Sequence, residues 1–144
     1  MQDAVAQDAV FAGKRSSWRS AVEVFKPRIG LEIMFAGIAG VAMAQGAGLP
    51  LPQLLVLATA VFLAAASAGA LNHLAERDLD ARMSRTRGRP FVTGKLAGGS
   101  LWIAVIGLLL AFAVVSAGLA TNWLAAMFVF LGAFTYGVVY TLWL

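Results

Sequence analysis

Two long stretches without a charged residue constrain this chain more than any other feature. No Asp, Glu, Lys or Arg occurs from Ile33 to Ala75, or from Leu96 to Leu144. One bilayer crossing takes roughly 20 apolar residues, so each stretch is long enough for two crossings with a turn between them. A buried helix of a water-soluble protein rarely runs this far without a charge. The sequence therefore predicts an all-α, polytopic transmembrane helix bundle.

The predicted organisation is a cytosolic leader over residues 1–28 and a transmembrane half-domain over residues 29–144. Pro50 and Pro52 mark a turn, because proline cannot continue the interior of a helix. A polar, basic loop is expected over residues 82–99. The four expected spans lie at about residues 29–47, 53–79, 100–119 and 123–144.

The positive charges predict the orientation of these spans. All 11 Lys and Arg residues precede the first span or surround the loop after the second. The positive-inside rule then places this side and the N-terminus in the cytoplasm. The leader is neither an apolar signal peptide nor an acid-poor transit peptide, which favours a bacterial inner membrane. The same rule explains the pI near 10.1 without a nucleic-acid partner.

A polar segment follows the apolar part of the second span. Asn72, Glu76 and Asp80 are spaced four apart, so on an α-helix they lie on one face, about 6 Å from step to step. An amide and two carboxylates offer only oxygen ligands, which suits Mg²⁺ with phosphate oxygens completing its shell. Alternatively, these acids only pair with neighbouring arginines, and Asp78 with Arg82 has the i,i+4 spacing for that.

Basic residues accompany this acidic ladder (Asn72, Glu76 and Asp80) on both sides. Guanidinium groups bind phosphate bidentately. Membrane topology and lipid headgroups explain part of the positive charge. The acidic ladder, a basic cluster and an apolar bundle together suit a diphosphate with a long hydrocarbon tail. The basic residues are Lys26, Arg28, Arg85, Arg87, Arg89 and Lys95.

The order of these residues resembles a known family. The pattern Asn72-x-x-x-Glu76-x-Asp78-x-Asp80-x-x-Met83-x-Arg85-Thr86-x-x-Arg89-Pro90 is similar to the first aspartate-rich motif and following loop of the UbiA-type prenyltransferases. The part from Met83 to Pro90 resembles the heme O synthase branch in particular. Lys26-Pro27-Arg28 resembles the start of the first span in that family. Glu76 stands where many members have Asp.

The resemblance implies both a reaction and its site. A farnesyl group would move from farnesyl diphosphate to a vinyl group of protoheme IX (heme b), giving heme O. Heme A synthase or oxidase assembly proteins would be partners besides the lipid bilayer. Asn72, Glu76 and Asp80 would be the catalytic set that holds Mg²⁺. The diphosphate would be bound by Lys26, Arg28, Arg85 and Arg89.

The resemblance also implies a longer protein. The family has about twice this length and a second acidic motif, whereas no Asp or Glu follows Asp80 here. The chain is therefore expected to be the N-terminal half of such an enzyme, without its C-terminal half and inactive alone.

Several alternatives stay open. The acceptor can be a quinone precursor or a chlorophyll-type molecule, or the chain can be a non-catalytic membrane scaffold subunit. A small four-span multidrug-type transporter is disfavoured, since Glu32 is the only acid inside a span and lies near its end. His73, the only histidine, is either a polar packing residue or a heme ligand. Tyr136 and Tyr140 share a helix face and are expected to line a cavity.

Overall fold

The computed structural model describes residues 19–44, 46, 48–96 and 98–141, and these residues form helices joined by turns, without a strand. Residues 19–24 form a short helical stretch. The later helices are α1 (Pro27–Met43), α2 (Leu51–Ala75), α3 (Arg77–Asp80), α4 (Ser100–Ala120) and α5 (Trp123–Phe134), which continues as a π-helix over Thr135–Tyr140.

The bundle has the character of a membrane protein. Three described helices are long and apolar enough to cross a bilayer, namely α2, α4 and the helix over Trp123–Tyr140. Helix α1 has 17 residues, at the short end of the roughly 17–25 that span a bilayer. The predicted all-α, polytopic bundle is confirmed. The division into a leader and a four-span half-domain stays a prediction, and residues 1–18 and 142–144 lie outside the described residues.

Helix α2 occupies the centre of the bundle. It packs against α1, α4, α5 and the π-helix, and every residue from Ala64 to Ala70 is buried. Small side chains let helix backbones approach closely, which stabilises helix contacts within a membrane. The main core cluster accordingly consists of alanines from three helices: Ala60, Ala64, Ala68, Ala113, Ala117, Ala126 and Ala133.

The end of α2 differs from the sequence prediction. The helix stops at Ala75 rather than near residue 79, and Glu76 adopts φ −85° and ψ 4° before the single turn of α3. The i→i+4 backbone bonds nevertheless continue. The Glu76 N–H donates to the Asn72 carbonyl at 2.9 Å, and the Asp80 N–H donates to the Glu76 carbonyl at 2.8 Å. The side chains of the ladder therefore keep their common face.

The segment after α3 folds back onto the bundle through an aromatic contact. Residues 81–96 form successive turns. The Phe91 ring is buried and meets Trp102 edge-on, with centroids 5.3 Å apart. Val24 and Ile106 belong to the same buried cluster. This anchor holds the basic loop against the end of α2 that carries the acidic ladder.

Candidate functional site

The acidic ladder is largely withdrawn from solvent. Asn72 and Asp80 are each 3% exposed, and Glu76 is half-buried. Buried polar groups are costly unless they have partners. The partners come from two other parts of the chain, the start of α1 and the loop after α3.

Lys26 reaches the ladder from the start of α1. Its backbone is left-handed, with φ 46° and ψ 57°, which is uncommon for a residue other than glycine. The Lys26 Nζ donates a hydrogen bond to Asn72 Oδ1 at 2.7 Å. The lysine stem packs along Gly69, whose added Cβ would lie 3.4 Å from Lys26 Cδ, a van der Waals distance. The left-handed backbone at Lys26 and this packing thus bring an ammonium group to the ladder.

Arg89 reaches the ladder from the other side. Its Nη1 donates to Asp80 Oδ2 at 2.5 Å and lies 3.6 Å from Glu76 Oε2. One guanidinium therefore contacts both carboxylates, and its single positive charge balances one of the two negative charges. Burial lowers the pKa of the nearby Lys26 ammonium; Arg89 lowers it further and the two carboxylates raise it.

The remaining two predicted diphosphate ligands lie apart from this cluster. Arg28 pairs with Glu32 at 3.5 Å, and its side chain is 93% exposed. Arg85 is also exposed, and no ion pair joins it to the ladder in the described part of the chain. Of the four predicted cations, the structure brings Lys26 and Arg89 to the ladder.

Asp78 behaves differently from the two ladder acids, as its position off the ladder face predicts. Its carboxylate is exposed and lies 3.4 Å from the neighbouring Arg77 Nε. The predicted pairing with Arg82 is not seen, since Arg77 is the ion-pair partner. An exposed pair of this kind contributes little to stability.

Several polar contacts at the site were not predicted. Thr86 is buried, and its hydroxyl donates to the Asp80 carbonyl at 3.2 Å. Thr141 Oγ1 accepts a hydrogen bond from Asn72 Nδ2 at 3.2 Å. The Lys26 Nζ lies 5.9 Å from the centre of the Tyr136 ring. No sequence spacing signals these contacts, because each joins groups through tertiary packing.

The aromatic pair and the lone histidine also take defined places. Tyr136 and Tyr140 line one cavity, as predicted, with ring centroids 6.1 Å apart. His73 is 7% exposed, and its Nδ1 has no hydrogen-bond partner among the described residues. Its role stays open.

The donor set of the ladder fits a hard cation. The oxygens of Asn72, Glu76 and Asp80 already face cationic nitrogens, from Lys26 or Arg89. Within the described ranges, no group of three or more His, Cys, Asp or Glu residues is arranged to hold a metal ion. The ladder offers two carboxylates and one amide oxygen, which are the kinds of ligand that hard cations such as Mg²⁺ take, with water and phosphate oxygens supplying the others.

An apolar groove adjoins the polar cluster. It has a volume of about 330 Å³ and runs between α1, α2 and the last helix. Tyr136, which contacts Lys26 with its ring face, lines one part of it. Ile33, Val61 and Phe128 are among its other walls. An apolar groove and a charged cluster therefore lie side by side here.

Comparison with known proteins gives consistent matches. The profile described as the UbiA prenyltransferase family matches residues 33–144. "Protoheme IX farnesyltransferase 2" of Paramagnetospirillum magneticum is 50% identical over 121 residues, which cover 84% of this chain and 42% of that protein. "Protoheme IX farnesyltransferase" of Brucella ovis is 37% identical over 146 residues, covering 100% of this chain and 46% of the relative. The protein of the same name from Rhizobium etli is 36% identical over 143 residues, covering 99% and 44%.

These matches cover only part of each relative. The chain spans less than half the length of each of these relatives. No solved structure matches it significantly.

Proposed function

The chain belongs to the UbiA prenyltransferase family, and we propose that it forms the N-terminal half of a heme O synthase. In this proposal the complete protein transfers a farnesyl group from farnesyl diphosphate to protoheme IX. The names of the relatives support the acceptor. The observation that carries the proposal is the buried ladder of Asn72, Glu76 and Asp80, which meets two cations beside an apolar groove.

The proposed chemistry is departure of a diphosphate. The bond between C1 of the farnesyl group and the diphosphate oxygen breaks, and the electron pair leaves with the oxygen. The π electrons of the heme vinyl group then form the new carbon–carbon bond with the allylic cation, which leaves a positive charge on the other vinyl carbon. Water adds to that carbon and loses a proton, which gives the hydroxyl group of the product. No protein nucleophile takes part, so the task of the protein is to stabilise charge on the leaving group.

Each part of the site has a role in this reaction. Asn72, Glu76 and Asp80 would hold Mg²⁺, which neutralises charge on the diphosphate when bound. Lys26 and Arg89 would donate hydrogen bonds to diphosphate oxygens, since charge-assisted bonds to phosphate are strong. The groove beside Tyr136 would hold the hydrocarbon tail, because burying it there removes apolar surface from water.

The experiment is a transfer assay with the complete protein in detergent. We expect heme O to form from farnesyl diphosphate and heme b, with activity lost in EDTA and restored by Mg²⁺. A 4-hydroxybenzoate acceptor tests the quinone-precursor alternative in the same assay. Transfer to that acceptor and not to heme would reassign the substrate. A folded protein without transfer to either acceptor would support the scaffold alternative.

The location belongs to the same proposal. The basic residues around the ladder support a cytoplasmic site in a bacterial inner membrane. This chain contains no cysteine, so in a complete protein whose other cysteines are replaced, a single introduced thiol reports its own position. In intact cells, Arg85→Cys should resist a membrane-impermeant thiol reagent and Asn122→Cys should react. The reverse labelling pattern would contradict the orientation.

A further inference from the structure

The side-chain amide of Asn72 is held from two sides by residues far away in the sequence. Its Oδ1 accepts from Lys26 Nζ at 2.7 Å, and its Nδ2 donates to Thr141 Oγ1 at 3.2 Å. A half-turn of the amide would direct its N–H donors at the lysine ammonium, which has no lone pair to accept them. The two contacts therefore fix which end of the amide faces the lysine.

The Thr141 hydroxyl also has a longer contact with the backbone of its own helix. This hydroxyl donates to the Tyr136 carbonyl oxygen at 3.5 Å. A hydroxyl has one proton to donate and lone pairs to accept with. With its proton directed at the backbone, Thr141 accepts from Asn72 Nδ2 through a lone pair. Asn72 Oδ1 accepts from Lys26 Nζ and keeps a second lone pair on the side away from Thr141.

The shape of the last helix brings Thr141 to this place. The helix widens into a π-helix over Thr135–Tyr140, immediately before Thr141. Such segments are rare and often lie at functional sites. Gly137 packs against Ala68 of α2, since an added Cβ at Gly137 would lie 3.4 Å from Ala68 Cα, a van der Waals distance. The last turn of this segment thus lies against α2, with the Thr141 hydroxyl beside Asn72.

We propose that Thr141 is a positioning residue for the metal ligand Asn72, keeping its amide oxygen directed at the site that receives the cation. This inference rests on the proposed function, because it gives Asn72 the role of a ligand. Groups that orient the ligands of a metal commonly change its affinity by about 10- to 100-fold when they are lost. Thr141 touches neither the cation nor the diphosphate in this proposal.

The test measures Mn²⁺ binding to the complete protein in detergent, with inorganic pyrophosphate present, by the paramagnetic resonance of free Mn²⁺. Thr141→Val keeps the side-chain shape and removes the acceptor, so the dissociation constant should rise about tenfold. Thr141→Ser retains the hydroxyl and should stay within about twofold of the wild type. Thr135→Val is the matched control, since among the described residues the Thr135 hydroxyl bonds to the Leu131 carbonyl of its own helix and not to Asn72.

A double-mutant comparison separates positioning from general packing. Asn72→Ala should weaken Mn²⁺ binding, and Thr141→Val should add nothing in that background, because the residue it orients is gone. If Asn72→Ala weakens binding and Thr141→Val does not, the positioning role is wrong and the proposed site stands. An additive effect, or an equal loss in Thr135→Val, would likewise overturn the positioning role. If Asn72→Ala leaves Mn²⁺ binding unchanged, the proposed metal set itself is wrong.

Discussion

The end of α2 and the surface of α4 differ in which side chains they bury and which they expose. At the end of α2 the buried side chains are polar, and Asn72 and Asp80 are each 3% exposed. Along α4 the exposed side chains are apolar, with Leu108 at 71% and Leu119 at 75%. Water would favour the reverse arrangement on both surfaces. The exposed leucines indicate contact with lipid. The carboxylates at the end of α2 indicate a functional site, because acidic groups within a membrane protein are costly.

The two regions also differ in the interactions that stabilise them. The polar cluster depends on directional contacts from Lys26 and Arg89 to the ladder. The apolar region depends on shape, since its main core consists of alanines. We therefore expect isosteric substitutions in the cluster, which keep its hydrogen bonds, to lower activity more than stability, and steric substitutions in the bundle to do the reverse.

The largest effect is expected from Asp80→Asn. The amide keeps the shape of the side chain and still accepts from Arg89, but it loses the charge that binds a cation. Loss of one group that stabilises transition-state charge commonly lowers kcat about 10²- to 10³-fold, and we expect heme O formation to fall by a similar factor. Initial rates of heme O formation in the complete protein measure this.

Asp78→Asn is the matched control for that prediction. Asp78 lies two residues away, is exposed and, within the part of the chain that the structure describes, pairs with Arg77 alone. Its variant should keep activity within about twofold, since exposed ion pairs contribute little. Equal losses in the two variants would show that the negative charge of the whole segment matters, and not the buried ladder.

The sequence predicted the features that depend on local geometry. The common face of Asn72, Glu76 and Asp80 follows from helical spacing alone, and it survives the break at Glu76 because the i→i+4 bonds continue. The apolar helices were equally predictable, because length and the absence of charge suffice. In both cases the relevant contacts lie within one or two helical turns.

The sequence did not predict which of the basic side chains contact the ladder. Arg85 and Arg89 lie in the same basic loop, and only the packing of Phe91 on Trp102 and its neighbours shows how that loop returns to the ladder. Thr141 was missed for a similar reason. Its contact with Asn72 spans 69 residues and depends on a π-helix that hydrophobic periodicity does not reveal.

The smaller effect is expected in the apolar region, from Gly118→Ala at the turn between α4 and α5. A Cβ at this position would lie 2.7 Å from two ring carbons of Trp123. Forcing an extra methyl group into a packed contact costs about 1–3 kcal/mol, so the midpoint of thermal unfolding in detergent should fall. Heme O formation per folded molecule should stay at the wild-type level, because the turn lies away from the polar cluster.

Gly107→Ala separates this clash from the general effect of adding a methyl group to α4. The space around Gly107 is open, with no atom within 4 Å of its added Cβ. Alanine favours a helix over glycine by up to about 1 kcal/mol, so this variant should unfold at the same temperature or slightly higher. If Gly118→Ala instead lowered activity at unchanged stability, the packing of the bundle and the chemistry of the polar cluster would not be independent. The effect of the substitution would then extend to the ladder. A drop in stability alone would show that the two regions are energetically separate. Steric packing would then stabilise the bundle, and charged groups would determine activity at the polar cluster.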